Sequence, residues 1–419
     1  MSAQDLTLTV SLILACGLFA RLVADLIGLP EIVIMVGFGV LIGPSALDIA
    51  EAPIGSVGVE LILTVGVGFI LFYGGLSLSL HVLRTVSVGL SLLVLPGVIL
   101  TAVVTGLAAA VVFGLPADAA LLMGAVLAPT DPAILIPLFS RIRIRPKVAQ
   151  TVIAESAFND PTGAILALAI AGVVVTGHAS ITSELASFVR NLVSSAVIGV
   201  VVGFVLAATV SSRRMGIWRE SPAIAALVAV SAGYFSLESI DGSGYLGAFI
   251  AGLIVGNMEL FGLDMHPRHA RELLSFVSSV ADIVTMLVFI TLGANLPLED
   301  IWRHLWSGLA VLAVFILVAR PLAVLVCTYP DRRAQWTRSE RAFLCWTRET
   351  GVVPAALGGI LLQTNVPHAQ LIVSVVALAI VATLLVQATT ASWLAGRLGL
   401  LEPEWTVDTL EPAPVAGGT

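Results

Sequence analysis

Charge is what this 419-residue chain has least of: Asp, Glu, Lys and Arg together make up 11% of it, against about 25% in ordinary soluble domains. A water-soluble fold is excluded. There is no long basic run and no interleaving of aromatic with basic residues, and the formal charge is -7, so nucleic acid is not an expected partner. Cysteine is nearly absent. Cys16, Cys327 and Cys345 lie inside apolar runs, make no CxxC pair or metal-ligand cluster, and read as small buried hydrophobes. No Walker motif is present to support an ATP-driven pump. A secretory signal needs a basic front, whereas Met1 to Leu6 contains Asp5 and neither Lys nor Arg. The first apolar segment is therefore expected to be kept as a span.

What is abundant is apolar surface, with 58% hydrophobic residues and a mean hydropathy of +1.05. One membrane span uses only about 20 such residues, so most of the chain must sit in lipid. Apolar runs separated by charge, Pro or Gly predict thirteen spans, near 7–27, 31–47, 59–80, 86–113, 117–139, 148–176, 186–211, 222–238, 243–257, 271–294, 302–328, 340–362 and 369–394. Loop charge fits that count. Arg84, the run Arg141, Arg143, Arg145 and Lys147, then Arg213, Arg214, Arg219, Arg268, Arg271, Arg332, Arg333, Arg338 and Arg397 all follow odd-numbered spans. The even loops carry Asp48, Glu51, Asp118, Glu184, Asp241, Glu299 and Asp300, with only Arg190 and Arg303 as basic neighbours. Basic loops gather on the cytoplasmic side, which puts the N-terminus outside and the C-terminus in the cytoplasm. Residues 401–419 are acidic and rich in Pro and Gly and are expected to form a short disordered tail.

The spans repeat. Gly39 and Gly43 in span 2 recur as Gly252 and Gly256 in span 9, at a constant offset of 213 residues. An offset of seven spans is odd, so the two segments cross the membrane in opposite directions. The same offset relates spans 5 and 12, both interrupted: Pro129-Thr130-Asp131-Pro132 in one, Thr350-Gly351-Val352-Val353-Pro354 in the other. Paired broken helices in inverted halves mark a transporter's site at the bilayer midplane. In span 5, Pro129 and Pro132 donate no N–H to Ala125 and Ala128 and bias Ala128 and Asp131 away from helical geometry. Thr130 and Asp131 then stand where the second half-helix needs an N-cap, and a carboxylate suits the positive end of its dipole.

Ionisable residues well inside the spans are few: Asp131, Glu155, Asp160, Asp282, Arg320, Arg348 and Glu349, with Arg21 nearer an end. Each costs at least ~2.5–3.5 kcal/mol at mid-helix and so needs a partner or a function. On a helix, Ser156 and Asp160 share a face while Glu155 and Asp160 diverge by roughly 140°, which gives the two carboxylates different jobs. Asp160, with hydroxyl, amide and carbonyl oxygens near it, can hold a hard monovalent cation or a proton. Competition for one carboxylate is exchange in its simplest form. Balancing half-helix dipoles would by itself also account for Asp131. Glu155 needs a buried cation, for which Arg320 is the candidate, and Arg348 would oppose the negative end of a half-helix. Asp282 and Glu349 are left unassigned, with Asp282, near the middle of span 10, placed either to face the cavity or to pair with an arginine.

At these residues the chain resembles the monovalent cation:proton antiporter superfamily, in its sodium/proton exchanger branch with an Asn-Asp pair, which includes NhaP-like transporters. Ala128-Pro129-Thr130-Asp131-Pro132 is similar to that family's Thr-Asp-Pro crossing motif, and Glu155-Ser156-Ala157-Phe158-Asn159-Asp160 to its Glu-Ser-x-x-Asn-Asp motif. The resemblance implies an all-α membrane protein of about thirteen helices in two inverted six-helix repeats. It implies core helices near 117–176 and 340–394, dimerisation helices near 1–58 and 222–257, and a homodimer in a prokaryotic inner membrane. It also implies cation and proton binding at Thr130, Asp131, Ser156, Asn159 and Asp160, with Na+ on Asp160, Asp131, Ser156 and Thr130, and a Glu155–Arg320 bridge. The implied activity is electroneutral Na+ (or Li+) exchange for H+ by elevator-type alternating access, by a transporter with no resident cofactor rather than an enzyme. K+/H+ exchange, or a cation channel or sensor of the same fold, are the alternatives. Many relatives carry an Arg-Gly-x-Val segment where this chain has Arg348-Glu349-Thr350-Gly351, and some carry an acidic residue where it has Phe72-Tyr73-Gly74-Gly75.

Overall fold

The computed structural model describes residues 3–49, 57–142, 144–176, 181–212, 215–240 and 242–401. The expected tail from 402 onward, and the loop residues Glu51, Arg143, His178, Arg213, Arg214 and Asp241, lie outside the described residues.

The chain is helical throughout that range, and strand pairing among the described residues is limited to one isolated bridge, Ile144 with Leu401. The first part comprises α1 (Ala3–Ile27), α2 (Glu31–Ile42), α3 (Val57–Leu76), α4 (Leu80–Leu92), α5 (Val98–Phe113), α6 (Ala117–Leu127), α7 (Pro132–Arg141) and α8 (Pro146–Thr176). Then follow α9 (Ile181–Val210), α10 (Pro222–Glu238), α11 (Gly244–Gly256), α12 (Pro267–Ala294), α13 (Leu298–Arg303), α14 (Leu305–Val314) and α15 (Arg320–Thr328). The last are α16 (Arg338–Trp346), α17 (Val352–Gln363), α18 (Ala369–Ala382) and α19 (Thr389–Arg397). Eight described helical stretches are long and apolar enough to cross a membrane, and five shorter apolar helices accompany them.

Three spans stay continuous through a π-helical turn: Leu93–Gly97 joins α4 to α5, Phe315–Ala319 joins α14 to α15, and Thr383–Ala388 joins α18 to α19. Such turns insert an extra residue into the i→i−4 ladder and are frequent at functional sites. Pro96 lies inside the first, and Pro321 follows the second by two residues.

The inverted repeat is visible in the packing. Gly39 of α2 lies against the backbone of Ile290 and Gly293 on α12, and Gly252 of α11 lies against the backbone of Phe72 on α3. Spans 2 and 10 therefore meet as spans 9 and 3 do, each pair related to the other by the seven-span offset. A Cβ at either glycine would overlap a main-chain carbonyl, so helices this close require a residue without one. Spans 4 and 11 match as well. Each carries a π turn, and each turn packs on the other's second half, α15 on Leu93–Gly97 and α5 on Phe315–Ala319.

Helices α1, α2, α3, α9, α10, α11 and α12 pack on one another, and α4 to α8 pack with α14 to α19. The two groups meet where α7 and α8 touch α3, α9 and α11 and where α2 touches the Thr383–Ala388 turn. There Phe158 of α8 stands edge-on to Phe249 of α11, 5.5 Å between ring centres. The cysteines are free, Cys16 and Cys327 buried and Cys345 half-buried.

Candidate functional site

The two interruptions lie against each other. In span 5, α6 stops at Leu127, four residues bridge, and α7 restarts at Pro132. Asp131 is extended (φ −105°, ψ 108°) and its Oδ1 accepts the Ala133 N–H at 2.8 Å, which caps α7. Ala128, expected to leave helical geometry because Pro129 follows it, instead stays helical at φ −69°, ψ −34°. The bias before proline is a preference, and here the Ala128 carbonyl is held by the Arg348 guanidinium from the other repeat.

In span 12, α16 ends at Trp346, residues 347–351 form a non-helical link, and α17 begins at Val352. The link crosses the first break. Its Glu349 carbonyl accepts the Asp131 N–H at 3.0 Å, and the Val352 N–H returns to Asp131 Oδ2 at 2.7 Å. One carboxylate thus sits at the positive ends of two helices, α7 and α17. A Cβ at Gly351 would overlap that carboxylate, so the approach of the link to Asp131 depends on glycine there.

The negative ends are met by arginines. Arg348 binds the Ala128 carbonyl at the end of α6, with its guanidinium carbon 5.1 Å from the centre of the Phe315 ring. Arg320, 1% exposed, donates through Nε to the Leu344 carbonyl at 2.8 Å and through Nη2 to the Thr347 carbonyl at 3.1 Å, at the end of α16. It also holds Glu155 in a two-pronged pair, Nη1–Oε1 2.5 Å and Nη2–Oε2 3.0 Å. A fork of parallel charge-assisted bonds is the strong geometry for such pairs.

On α8 the polar face turns to the first break. Asn159 accepts the Thr130 N–H on Oδ1 at 3.0 Å and donates from Nδ2 to Thr130 Oγ1 at 2.8 Å, while Ser156 Oγ lies 2.6 Å from Thr130 Oγ1. Asp160, one helical turn beyond Ser156, is 4% exposed, and its Oδ1 is buried with no hydrogen-bond partner. Thr130, Asp131, Ser156, Asn159 and Asp160 are therefore all buried at one crossing, and Glu155, Arg320 and Arg348 stand behind it.

The two breaks are thus paired, capped by opposite charges and faced by an Asn-Asp pair. The family model described as "Sodium/hydrogen exchanger, transmembrane" matches residues 10–397. This chain belongs to that family. The exchanger is 27% identical over 371 residues to a "Probable Na(+)/H(+) antiporter 2" of Methanocaldococcus jannaschii, covering 86% of both chains. It is 28% identical over 407 residues to "K(+)/H(+) antiporter NhaP" of Alkalimonas amylolytica, covering 96% of this chain and 69% of that one. Its fold is similar to the sodium proton antiporter MjNhaP1 of M. jannaschii, with a TM-score of 0.79 and 26% identity over 96% of this chain and all of that one.

Among the charges left without a role, Asp282 of the exchanger pairs with Arg21 at 3.0 Å, and Arg21 also holds Glu31 at 3.1 Å, so this triad ties α1, α2 and α12 together. Glu349 is fully buried, and no other residue donates to its side-chain oxygens. Sequence reasoning passed over Thr383 and Gln387, both fully buried beside the second break. The only signal for them was polarity inside an apolar run.

Proposed function

We propose that this exchanger is a secondary antiporter that moves Na+ across a membrane in exchange for H+, with Asp160 as the shared carrier of both. The observation that carries this reading is the contrast among three buried carboxylates of the first break and of α8, Glu155, Asp131 and Asp160. Glu155 is spent on Arg320, and each Asp131 oxygen already accepts a helix N–H. Asp160 keeps a buried oxygen with no partner, one helical turn from Ser156, whose hydroxyl meets that of Thr130. Hard oxygen donors of this kind suit a dehydrated monovalent cation.

With the helix ends met by Asp131, Arg348 and Arg320, Asp160 is the one of these three carboxylates whose negative charge is left unmatched. A single cation or a single proton balances it. Loaded with either, the site is neutral, which makes crossing cheap in both directions and supports one-for-one, electroneutral exchange. Asn159 contributes by fixing Thr130, since both ends of its amide are committed there.

Movement of the α4–α8 and α14–α19 group against the other helices, in an elevator-type cycle, would carry Asp160 between the two faces. The helices near 1–58 and 222–257 form the dimerisation surface of a homodimer in this reading. The membrane is a prokaryotic inner membrane, with the N-terminus outside and the C-terminus in the cytoplasm. A relative named for K+/H+ exchange favours K+ as the second reading. Proteoliposomes carrying a pH dye, given Na+, Li+ or K+ in turn, test both. Dequenching with Na+ or Li+ supports the first reading, and dequenching with K+ alone supports the second. Steep ionic current without proton coupling rejects antiport.

A further inference from the structure

The second break is fastened to span 13 by a pair of side chains on a π-helical turn. Thr383 Oγ1 accepts the Thr350 N–H at 3.2 Å, and Gln387 Nε2 donates to the Trp346 carbonyl. These two bonds clamp the link at its two ends, since Trp346 closes α16 and Thr350 precedes Gly351 by one residue. Thr383 and Gln387 are both 0% exposed, four residues apart, and belong to the turn Thr383–Ala388. The Trp346 indole adds a third bond to the same span, Nε1 to Thr390 Oγ1 at 2.8 Å.

The arrangement repeats the first half of the molecule. There the backbone N–H of Thr130, just before the Asp131 cap, is accepted by a side chain of the following span, Asn159 Oδ1. Here the backbone N–H of Thr350, just before Gly351, is accepted by a side chain of the following span, Thr383 Oγ1. Spans 5 and 6 correspond to spans 12 and 13 under the same seven-span offset. Thr383 is thus the counterpart of Asn159 in the inverted repeat.

We infer that Thr383 and Gln387 are positioning residues for transport: they fix the register of the 347–351 link so that its Glu349 carbonyl and the Val352 N–H stay on Asp131. Neither touches the cargo. Their effect reaches Asp160 through the first break, where Thr130, next to Asp131, is bonded to Asn159 and Ser156 on the helix that carries Asp160. A link free to slide would loosen Asp131 and lower cation affinity, while leaving the rate of the loaded carrier nearly untouched. This rests on the antiport reading and adds to it a role for the second repeat.

The test uses the full chain in proteoliposomes, with Na+-dependent proton movement as one readout and Na+-induced thermal stabilisation in detergent as the other. Thr383→Val keeps the shape and removes the acceptor. It is expected to raise the apparent KM and the half-saturating Na+ for stabilisation about tenfold, or about 1.4 kcal/mol, with Vmax little changed. Thr383→Ser, which keeps the oxygen, is expected to restore both. Gln387→Met removes the other clamp and shifts KM in the same direction, and it stands in if the valine variant does not fold. An unchanged KM in the folded variants, with or without a lower melting temperature, overturns the inference, as does failure of the serine to rescue. Wild type and Asp160→Asn run alongside. Absent Na+/H+ coupling in wild type, or full activity in Asp160→Asn, rejects the antiport reading, whatever Thr383→Val does.

Discussion

Asp131 accepts the Val352 N–H at 2.7 Å across the membrane-buried crossing, so a residue of the first repeat caps a helix of the second. Together with the Ala133 N–H on its other oxygen, this makes one side chain the joint between two broken spans. Arg348 returns the favour by holding the Ala128 carbonyl. Each half of the crossing is completed by a charge from the other, so neither is complete alone.

Replacement of Asp131 is expected to act on stability and transport together. Asp131→Ala strips both helix N–H groups of their acceptor, at about 1–3 kcal/mol for each buried donor left unpaired. Asp131→Asn keeps one oxygen and should melt between the alanine variant and wild type. Thermal melting of the purified protein orders the three.

Gly351→Ala places a methyl group where the Asp131 carboxylate now lies. One of the two must shift, and the Val352 N–H is the bond nearest to the displacement. Transport should fall by at least an order of magnitude while the protein still folds, measured as the initial rate of Na+-driven proton movement at equal protein content.

Glu155 and Arg320 should not be equivalent on removal. Loss of either leaves a buried charge unpaired, at about 3–5 kcal/mol. Arg320 in addition supports the Leu344 and Thr347 carbonyls at the end of α16. Folding yield should therefore drop further for Arg320→Met than for Glu155→Gln, and equal yields would show that those two carbonyl bonds contribute little.

Glu349→Gln removes a carboxylate that is fully buried without a donor from any other residue. A neutral amide is cheaper to bury than an unpaired charge. The variant should melt at or above wild type, as differential scanning of the purified protein would show. The backbone carbonyl that holds the Asp131 N–H is unaffected by the change.

Much of this was legible in the sequence, because lipid narrows the options. A Pro-Thr-Asp-Pro run inside an apolar span has to break its helix, and buried charges have to find one another. Glu155 and Asp160 diverge around their helix, and in the structure one meets Arg320 while the other keeps a buried oxygen without a partner. The glycine offset pointed to close helix contacts without saying against what. Packing supplies α12 for Gly39 and α3 for Gly252. The helical state of Ala128 was not readable, since the arginine that holds its carbonyl comes from 220 residues away. Thr383 was not readable either. A threonine in an apolar span ordinarily bonds its own helix, and only the fold brings the Thr350 N–H to it.

The most direct measurement is cation-dependent dequenching of a pH dye in proteoliposomes, for wild type and Asp160→Asn, over a range of pH. If one carboxylate serves both occupants, wild type responds to Na+, and its apparent KM rises about tenfold for each unit of pH lost on the acid side, one proton being displaced per cation. Asp160→Asn then gives no response. A variant that exchanges at the wild-type rate, or a KM independent of pH, would contradict a shared site at Asp160.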